Sequence, residues 1–275
     1  MGKNSTGAYS DPPISTQLLC DWVTQAGAMA LDRWRKHDMW LKGDLTPVTS
    51  ADTEVESYLL ERIKHHDPDS AILSEEAGYR PGQGPYTWVL DPVDGTRAYA
   101  SGLPVWGISL GLIREGQPCA GVFYLPALGD LYWADDKTAM HNGTPVVCTT
   151  GLAVDHPLAF IAVGSNAHLR YDVSYPRLRS LGSTAAHLVY VACSTAIATL
   201  TRRVSLWDVA GVLPLLAHCG VRVAYLSGSP FIAGALMRGE RMPEPVLAAR
   251  PAVWDTVRGY IGNRMQALGE DATDS

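Results

Sequence analysis

The chain has 275 residues, 47% hydrophobic and 18% charged, which allows a sizeable core and excludes a disordered chain. Its 28 acids against 22 bases leave a net charge of −6, which argues against a nucleic-acid partner, since such a binder presents a basic face. Five scattered cysteines without a C-x-x-C read as reduced thiols rather than a disulfide frame or zinc site.

From the N-terminus, residues 1–13 are polar and lack the apolar region of a signal peptide. Met1-Gly2 followed by Thr6 fits a myristoylation pattern short enough to arise by chance. No apolar stretch is long enough to span a membrane, so the expectation is a cytoplasmic protein without membrane contact. A first amphipathic helix is predicted over 15–36, with Leu19, Trp22, Ala26 and Ala30 at helical spacing and Ser15 or Thr16 as cap. A loop containing Gly43 and Pro47 leads to a second helix from Thr49 or Ser50, which buries Val55, Leu59, Leu60 and Ile63 and stops before Pro68.

The period then changes. Strands are predicted over 71–74 and 86–90, each delivering acids at its end, with the Gly- and Pro-rich segment between them as a flap. A hairpin follows over 105–113 and 118–125, then a strand over 130–134. The second half alternates: a strand over 158–163, apolar helices over 184–200 and 207–218, a strand over 221–226 and a final helix over 251–268 before an acidic tail. This pattern predicts an α+β half over 15–147 and an α/β half over 148–268.

The string Asp91-Pro92-Val93-Asp94-Gly95-Thr96 is the most informative. Pro92 fixes its own φ and biases Asp91 to extended geometry. Gly95 permits a close backbone approach, and the amides of Gly95 and Thr96 become donors for an anion. Carboxylates beside amide donors suit a hard divalent cation together with a phosphate; in isolation the same string reads better as an Asx-Pro turn with solvated acids. Adjacent Glu75 and Glu76 repel each other unless exposed or neutralised by a cation. Asp208 opens an apolar helix, where an Asp is ordinarily an N-cap, and Asp52 reads as a first-turn helix acid.

Taken together, Thr46-Pro47-Val48-Thr49-Ser50-Ala51-Asp52, Ser74-Glu75-Glu76, the 91–96 string, Gly182-Ser183 and Trp207-Asp208-Val209-Ala210-Gly211 resemble the inositol monophosphatase superfamily, in its order and over most of the chain. The resemblance implies an αβαβα layered sandwich and Mg2+-dependent hydrolysis of a small phosphorylated metabolite by a metal-activated water. It further implies two or three Mg2+ ions and a homodimer. Glu75, Asp91 and the Val93 carbonyl resemble the ligands of a first ion, with Asp91 bridging to a second held also by Asp94 and Asp208. A third would sit by Glu75 and Glu76 through waters. Thr96 and Asp52 resemble the family's water-orienting dyad, completing with Glu75 the implied catalytic set. The amides of Gly95 and Thr96 would face the phosphoryl oxygens. Gly182-Ser183-Thr184 resembles the loop whose backbone touches the substrate, and it is also a plain strand-to-helix entry capped by Ser183.

Some positions depart from that pattern. Ser74 stands where family members commonly carry Gly. Seven residues before Asp208, where inositol monophosphatases carry an acid for sugar hydroxyls, this chain has Thr201, followed by Arg202 and Arg203. The basic pair can face an acidic substrate group, a dimer partner or solvent. Arg97, Tyr99 and Gly102-x-Pro104 look more like the histidinol-phosphate phosphatase branch. Inositol 1-phosphate is therefore the leading substrate and histidinol phosphate the alternative, with fructose 1,6-bisphosphate or a 3′-phosphonucleotide behind them. A non-catalytic phosphometabolite-binding protein on the same fold is the reading from a different class. His187 is expected as a partly buried polar residue of its helix, since imidazole on hard Mg2+ is unfavourable.

Overall fold

A computed structural model describes residues 14–36, 39–43, 47–202 and 204–263. Thr46, Arg203, the myristoylation pattern and the acidic tail lie outside the described residues.

Helix α1, Thr16–Arg33, starts where the Ser15 hydroxyl accepts from Leu18 N. Strands β1, Met39–Leu41, and β2, Pro47–Thr49, form an antiparallel ribbon where the sequence reads as a loop. Helix α2, Ser50–His66, begins on a capping box: Thr49 is the cap, and Asp52 accepts from its N–H. The apolar stripes of α1 and α2 pack together and cover one face of an eight-stranded sheet.

That sheet consists of β3 (Ala71–Ser74), β4 (Gly78–Arg80), β5 (Tyr86–Asp94), β6 (Gly107–Arg114), β7 (Gln117–Leu125), β8 (Asp130–Asp135), β9 (Ala139–His141) and β10 (Thr144–Pro145). Helix α3, Thr96–Ala100, follows β5. The order is β10-β9-β8-β7-β6-β5-β3-β4, antiparallel except for β3 beside β5. The segment expected as a flap is thus in part an edge strand, β4 paired with β3. Side chains alternate along β5: Trp88 and Leu90 face α1 and α2, while Val89 points into the layer behind. The β5–β6 ladder slips between Asp91 and Asp94, where Pro92 has no N–H to give, and this bulge carries both acids off the sheet.

The second sheet takes β11 (Ile161–Val163), β13 (Leu178–Arg179), β14 (Ala198–Thr201), β15 (Arg222–Tyr225) and β16 (Val246–Ala249), in the order β13-β11-β14-β16-β15. Between the sheets lie α4 (Thr184–Ala192), α5 (Trp207–Ala210) and α6 (Leu213–His218). Helix α7, Pro251–Gly259, covers the outer face of the second sheet through Trp254 and Val257. The layers therefore run helices, sheet, helices, sheet, helix, which is the αβαβα sandwich. A last ribbon pairs β12, Tyr171–Val173, with β17, Ile261–Asn263.

Three predicted helices are shorter than their apolar runs. The run 184–200 breaks at Ser194, which adopts φ +61° while Thr195 N and Ala196 N both return to Tyr190 O; the remainder continues as β14. The run 207–218 divides at Gly211, with Pro214 early in α6 where its missing N–H costs nothing. The final helix ends at Gly259 and the chain turns into β17; its expected continuation over 264–268 lies outside the described residues.

Two close approaches decide where α5 rests. A Cβ on Gly111 would lie 2.6 Å from the carbonyl carbon of Ala210, and one on Gly211 would lie 2.6 Å from Ser109 Oγ. Gly121 faces the Gly211 backbone in the same way. Glycines on both sides let the Asp208 helix lie directly on β6 and β7. Gly121→Ala is expected to push it away, lowering stability by about 1–3 kcal/mol in urea denaturation, against a near-neutral Gly43→Ala on the surface.

Candidate active site

The acids meet at the β5 bulge. Carboxylate oxygens of Asp91, Asp94 and Asp208 all lie within 4.8 Å of one another, although Asp208 is more than a hundred residues from the other two. Each is aimed by hydrogen bonds. Asp91 Oδ1 accepts from Val93 N at 3.0 Å, the local turn expected of an Asp-Pro string. Asp208 Oδ2 accepts from Ser205 N at 2.6 Å, and the Trp207 carbonyl is fixed by the Ser109 hydroxyl.

Asp94 reaches to the start of α4. Its Oδ1 accepts from Thr184 N at 3.1 Å; its Oδ2 accepts from Ala185 N at 2.8 Å and from the Ser183 hydroxyl. A carboxylate at the positive end of a helix is well placed electrostatically. One side chain thus joins the bulge of the first sheet to the helix layer behind it. Gly95, at φ +92°, makes room, because a Cβ there would lie 2.9 Å from Gly182 O.

Glu75, just past β3, joins the group beside Asp91, and the two carboxyl groups line the same cleft. Burial raises the Glu75 carboxyl group above the usual range, with Glu76 adding to the shift and Lys42 opposing it. The Lys42 ammonium lies 3.5 Å from Glu75 Oε1 and bonds Glu76 directly. Burial, then the neighbouring carboxylates, push Asp91 and Asp208 well above the ordinary range. Asp94 rises to about 6, for burial outweighs the bonds from Ser183, Ala185 and Thr184.

Asp52 is fully buried beneath this group. Its Oδ2 accepts from Thr49 N and Oγ1 at 2.8 and 2.6 Å, and its Oδ1 accepts from Thr96 Oγ1 at 3.3 Å. The Thr96 hydroxyl also reaches Val93 O at 3.1 Å. Burial raises Asp52 to about 7, opposed by the Thr49 bonds.

A cleft of about 400 Å³ opens over the acids. Glu75, Asp91, Val93, Asp94, Gly95, Thr96 and Asp208 form one end, and Gly182 and Thr184 a wall. Thr201 and Arg202 are not among its lining residues. The Thr201 hydroxyl donates to Val246 O inside the second sheet, and Arg202 lies near Tyr171. Arg97, Ser101, Leu103, Ser165, Ser180 and Leu181 line the cleft as well. The ring of His187 holds that wall: Nε2 accepts from Leu181 N at 3.0 Å, and burial lowers its pKa to about 4.

Sequence reading missed Lys42, Ser165, Ser180 and Glu56. Only Glu56 left a local signal, an acid on the apolar stripe of α2, three residues before Leu59 and four before Leu60. Such a set of close, buried, hard oxygen donors is unfavourable when ionised unless a cation lies among them, and it fits Mg2+.

Fold and site together define a layered hydrolase with an acid-lined cleft. The chain belongs to the inositol monophosphatase family, whose model matches residues 15–250. It is 31% identical over 217 residues to a histidinol-phosphatase of Chlorobaculum parvum, 74% of this chain and 83% of that protein. To an inositol-1-monophosphatase of Synechocystis sp. it is 32% identical over 238 residues, 80% of this chain and 82% of the relative. The solved inositol monophosphatase of Anabaena (Nostoc) sp. matches with a TM-score of 0.70 at 26% identity, covering 89% of this chain and 95% of that one. The family is one of Mg2+-dependent phosphatases, and this chain is a phosphoric monoester hydrolase.

In the unfolded chain these acids titrate near pH 4; in the fold they keep their protons to higher pH. Between those limits the folded state binds more protons, so stability falls as pH rises, on the order of 3 kcal/mol for Asp94 alone. His187 acts oppositely between about 4 and 6.5, one group against several. Chelator-treated protein should therefore melt several degrees lower at pH 8 than at pH 5, in a calorimetric scan. Added Mg2+ should raise the midpoint more at pH 8, and Asp208→Asn should flatten the metal-free slope.

Proposed function

We propose that this chain hydrolyses a small phosphomonoester of the inositol 1-phosphate type, with Mg2+ at the carboxylates of the β5 bulge. The observation that carries this reading is the convergence of Asp91, Asp94 and Asp208 at one end of a cleft of substrate size. A binding protein without activity would not need this set intact. Glu75, Asp91 and the Val93 carbonyl would hold one ion; Asp91, Asp94 and Asp208 a second; Glu75 and Glu76 a third. Asp94 Oδ1 accepts a single hydrogen bond, so one lone pair is left for a cation. Mg2+ bound there supplies a lowered pKa for water and neutralises phosphoryl charge.

The chain's own groups account for the rest. Thr96 Oγ1 donates to Asp52 Oδ1, leaving its lone pairs to accept from the attacking water and to aim it. Asp52 stays in place because Thr49 holds its other oxygen. The N–H groups of Gly95 and Thr96 face the phosphoryl oxygens, and the Gly182–Thr184 turn bounds the alcohol. Ser101, Ser165, Ser180 and Arg97 in the cleft lining suit a polar alcohol. Because Thr201 does not reach the cleft, no acid there receives sugar hydroxyls, which supports histidinol phosphate as the second reading.

A panel of inositol 1-phosphate, histidinol phosphate, fructose 1,6-bisphosphate and 3′-phosphoadenosine phosphate, assayed with Mg2+, tests the choice. Turnover should be highest on one of the first two and vanish with chelator. Asp91→Asn should lower kcat by about a thousandfold or more with unchanged circular dichroism, and Thr96→Ala by about a hundredfold. Undiminished turnover in Asp91→Asn would overturn the assignment.

A further inference from the structure

Glu56 lies one turn beyond Asp52 on α2 and is 7% exposed. A carboxylate carried into a helix–sheet interface is unfavourable unless its oxygens are used. Here a single oxygen, Oε1, accepts from Glu76 N at 3.1 Å, from Ala77 N at 3.0 Å and from the Ser74 hydroxyl. The preceding amide, Glu75 N, donates to Leu90 O at 3.3 Å. All three amides of the 75–77 turn are thereby committed, one to β5 and two to Glu56. The turn joins Ser74 to its strand partner Gly78, which sits at φ +69°. Ser74 occupies the position where a glycine would bring no hydroxyl, so the third donor comes from this chain's own choice of residue.

We infer that Glu56, assisted by the Ser74 hydroxyl, is a positioning residue for the cation: it clamps the 75–77 turn, holds the Glu75 carboxylate against Asp91 and so sets the affinity for Mg2+. Glu56 does not line the cleft, so its effect on the alcohol half of a substrate is nil. The inference rests on the Mg2+ reading given above. An ionised acceptor facing three donors binds them more strongly than a neutral one. The charge of Glu56 also deepens the negative potential of the site, a separate effect that needs no clamp. The two effects part company in substitutions: Glu56→Gln keeps an acceptor and removes the charge, while Glu56→Leu removes both.

The experiment is calorimetric Mg2+ titration of the chelator-stripped full chain, with kcat and KM measured at saturating Mg2+. Glu56→Leu should weaken Mg2+ binding about tenfold or more, as loss of a group behind a metal ligand does, with KM within about twofold. Glu56→Gln should lose no more than about threefold, and Ser74→Ala about threefold. Unchanged Mg2+ affinity in Glu56→Leu overturns the inference, as does a rise in KM alone. Equal losses in Gln and Leu overturn it too, since the field rather than the clamp is then responsible. Should Glu56→Leu fail to fold, Ser74→Ala decides, and an unaltered affinity there overturns the clamp. A wild-type chain that takes up no Mg2+ overturns the metal-dependent reading as well; wild-type binding with unaffected variants overturns this inference alone.

Discussion

Like charges held close in a buried place repel, and Asp91, Asp94 and Asp208 are held within hydrogen-bonding reach of a common point. Such an arrangement survives folding only if the backbone groups around it are committed in advance. Each acid accordingly accepts from a neighbouring N–H: Asp91 from Val93, Asp208 from Ser205, Asp94 from the opening turn of α4. Burial, joined by that repulsion at Asp91 and Asp208, leaves all three acids holding protons to unusually high pH. The same repulsion makes the site attractive to a divalent cation, so the local cost to stability and the capacity for chemistry have one origin.

Packing elsewhere serves that convergence. Asp208 reaches the bulge because Gly111, Gly121 and Gly211 let α5 rest on the sheet without intervening side chains. Asp94 reaches α4 because Gly95 and Gly182 can approach one another. The bulge exists because Pro92 interrupts the β5–β6 ladder. None of these contacts is large in apolar area, yet each removes an obstruction of atomic size. Between them, the first sheet and the helix layer present oxygens to the same small volume.

Much of this was legible in the amino-acid order. The strands over 86–90, 105–113 and 118–125 and the helix start at Thr49 or Ser50 are readable in the sequence, and β5, β6, β7 and α2 lie there. The 91–96 string marks its own corner, and the motifs carry Asp94 and Asp208, which the fold brings together with Asp91 from far apart in the chain. Long apolar runs were harder. Residues 184–200 are buried as helix and then as strand, and hydrophobicity alone does not separate the two; the break lies in the left-handed backbone of Ser194. Short strands such as 39–41 and 171–173 owe their existence to their pairing partners, β2 and the distant β17. Counting back from Asp208 reaches Thr201 and Arg202, yet Thr201 bonds its β16 partner Val246 and neither residue lines the cleft.

The ring of His187 carries one more implication. Its Nε2 accepts the Leu181 amide and its interior setting keeps it uncharged down to about pH 4. The wall it supports is therefore indifferent to acidity across the range in which most enzymes work. Loss of turnover on mild acidification therefore does not come from this imidazole, which stands as an uncharged strut above about pH 4.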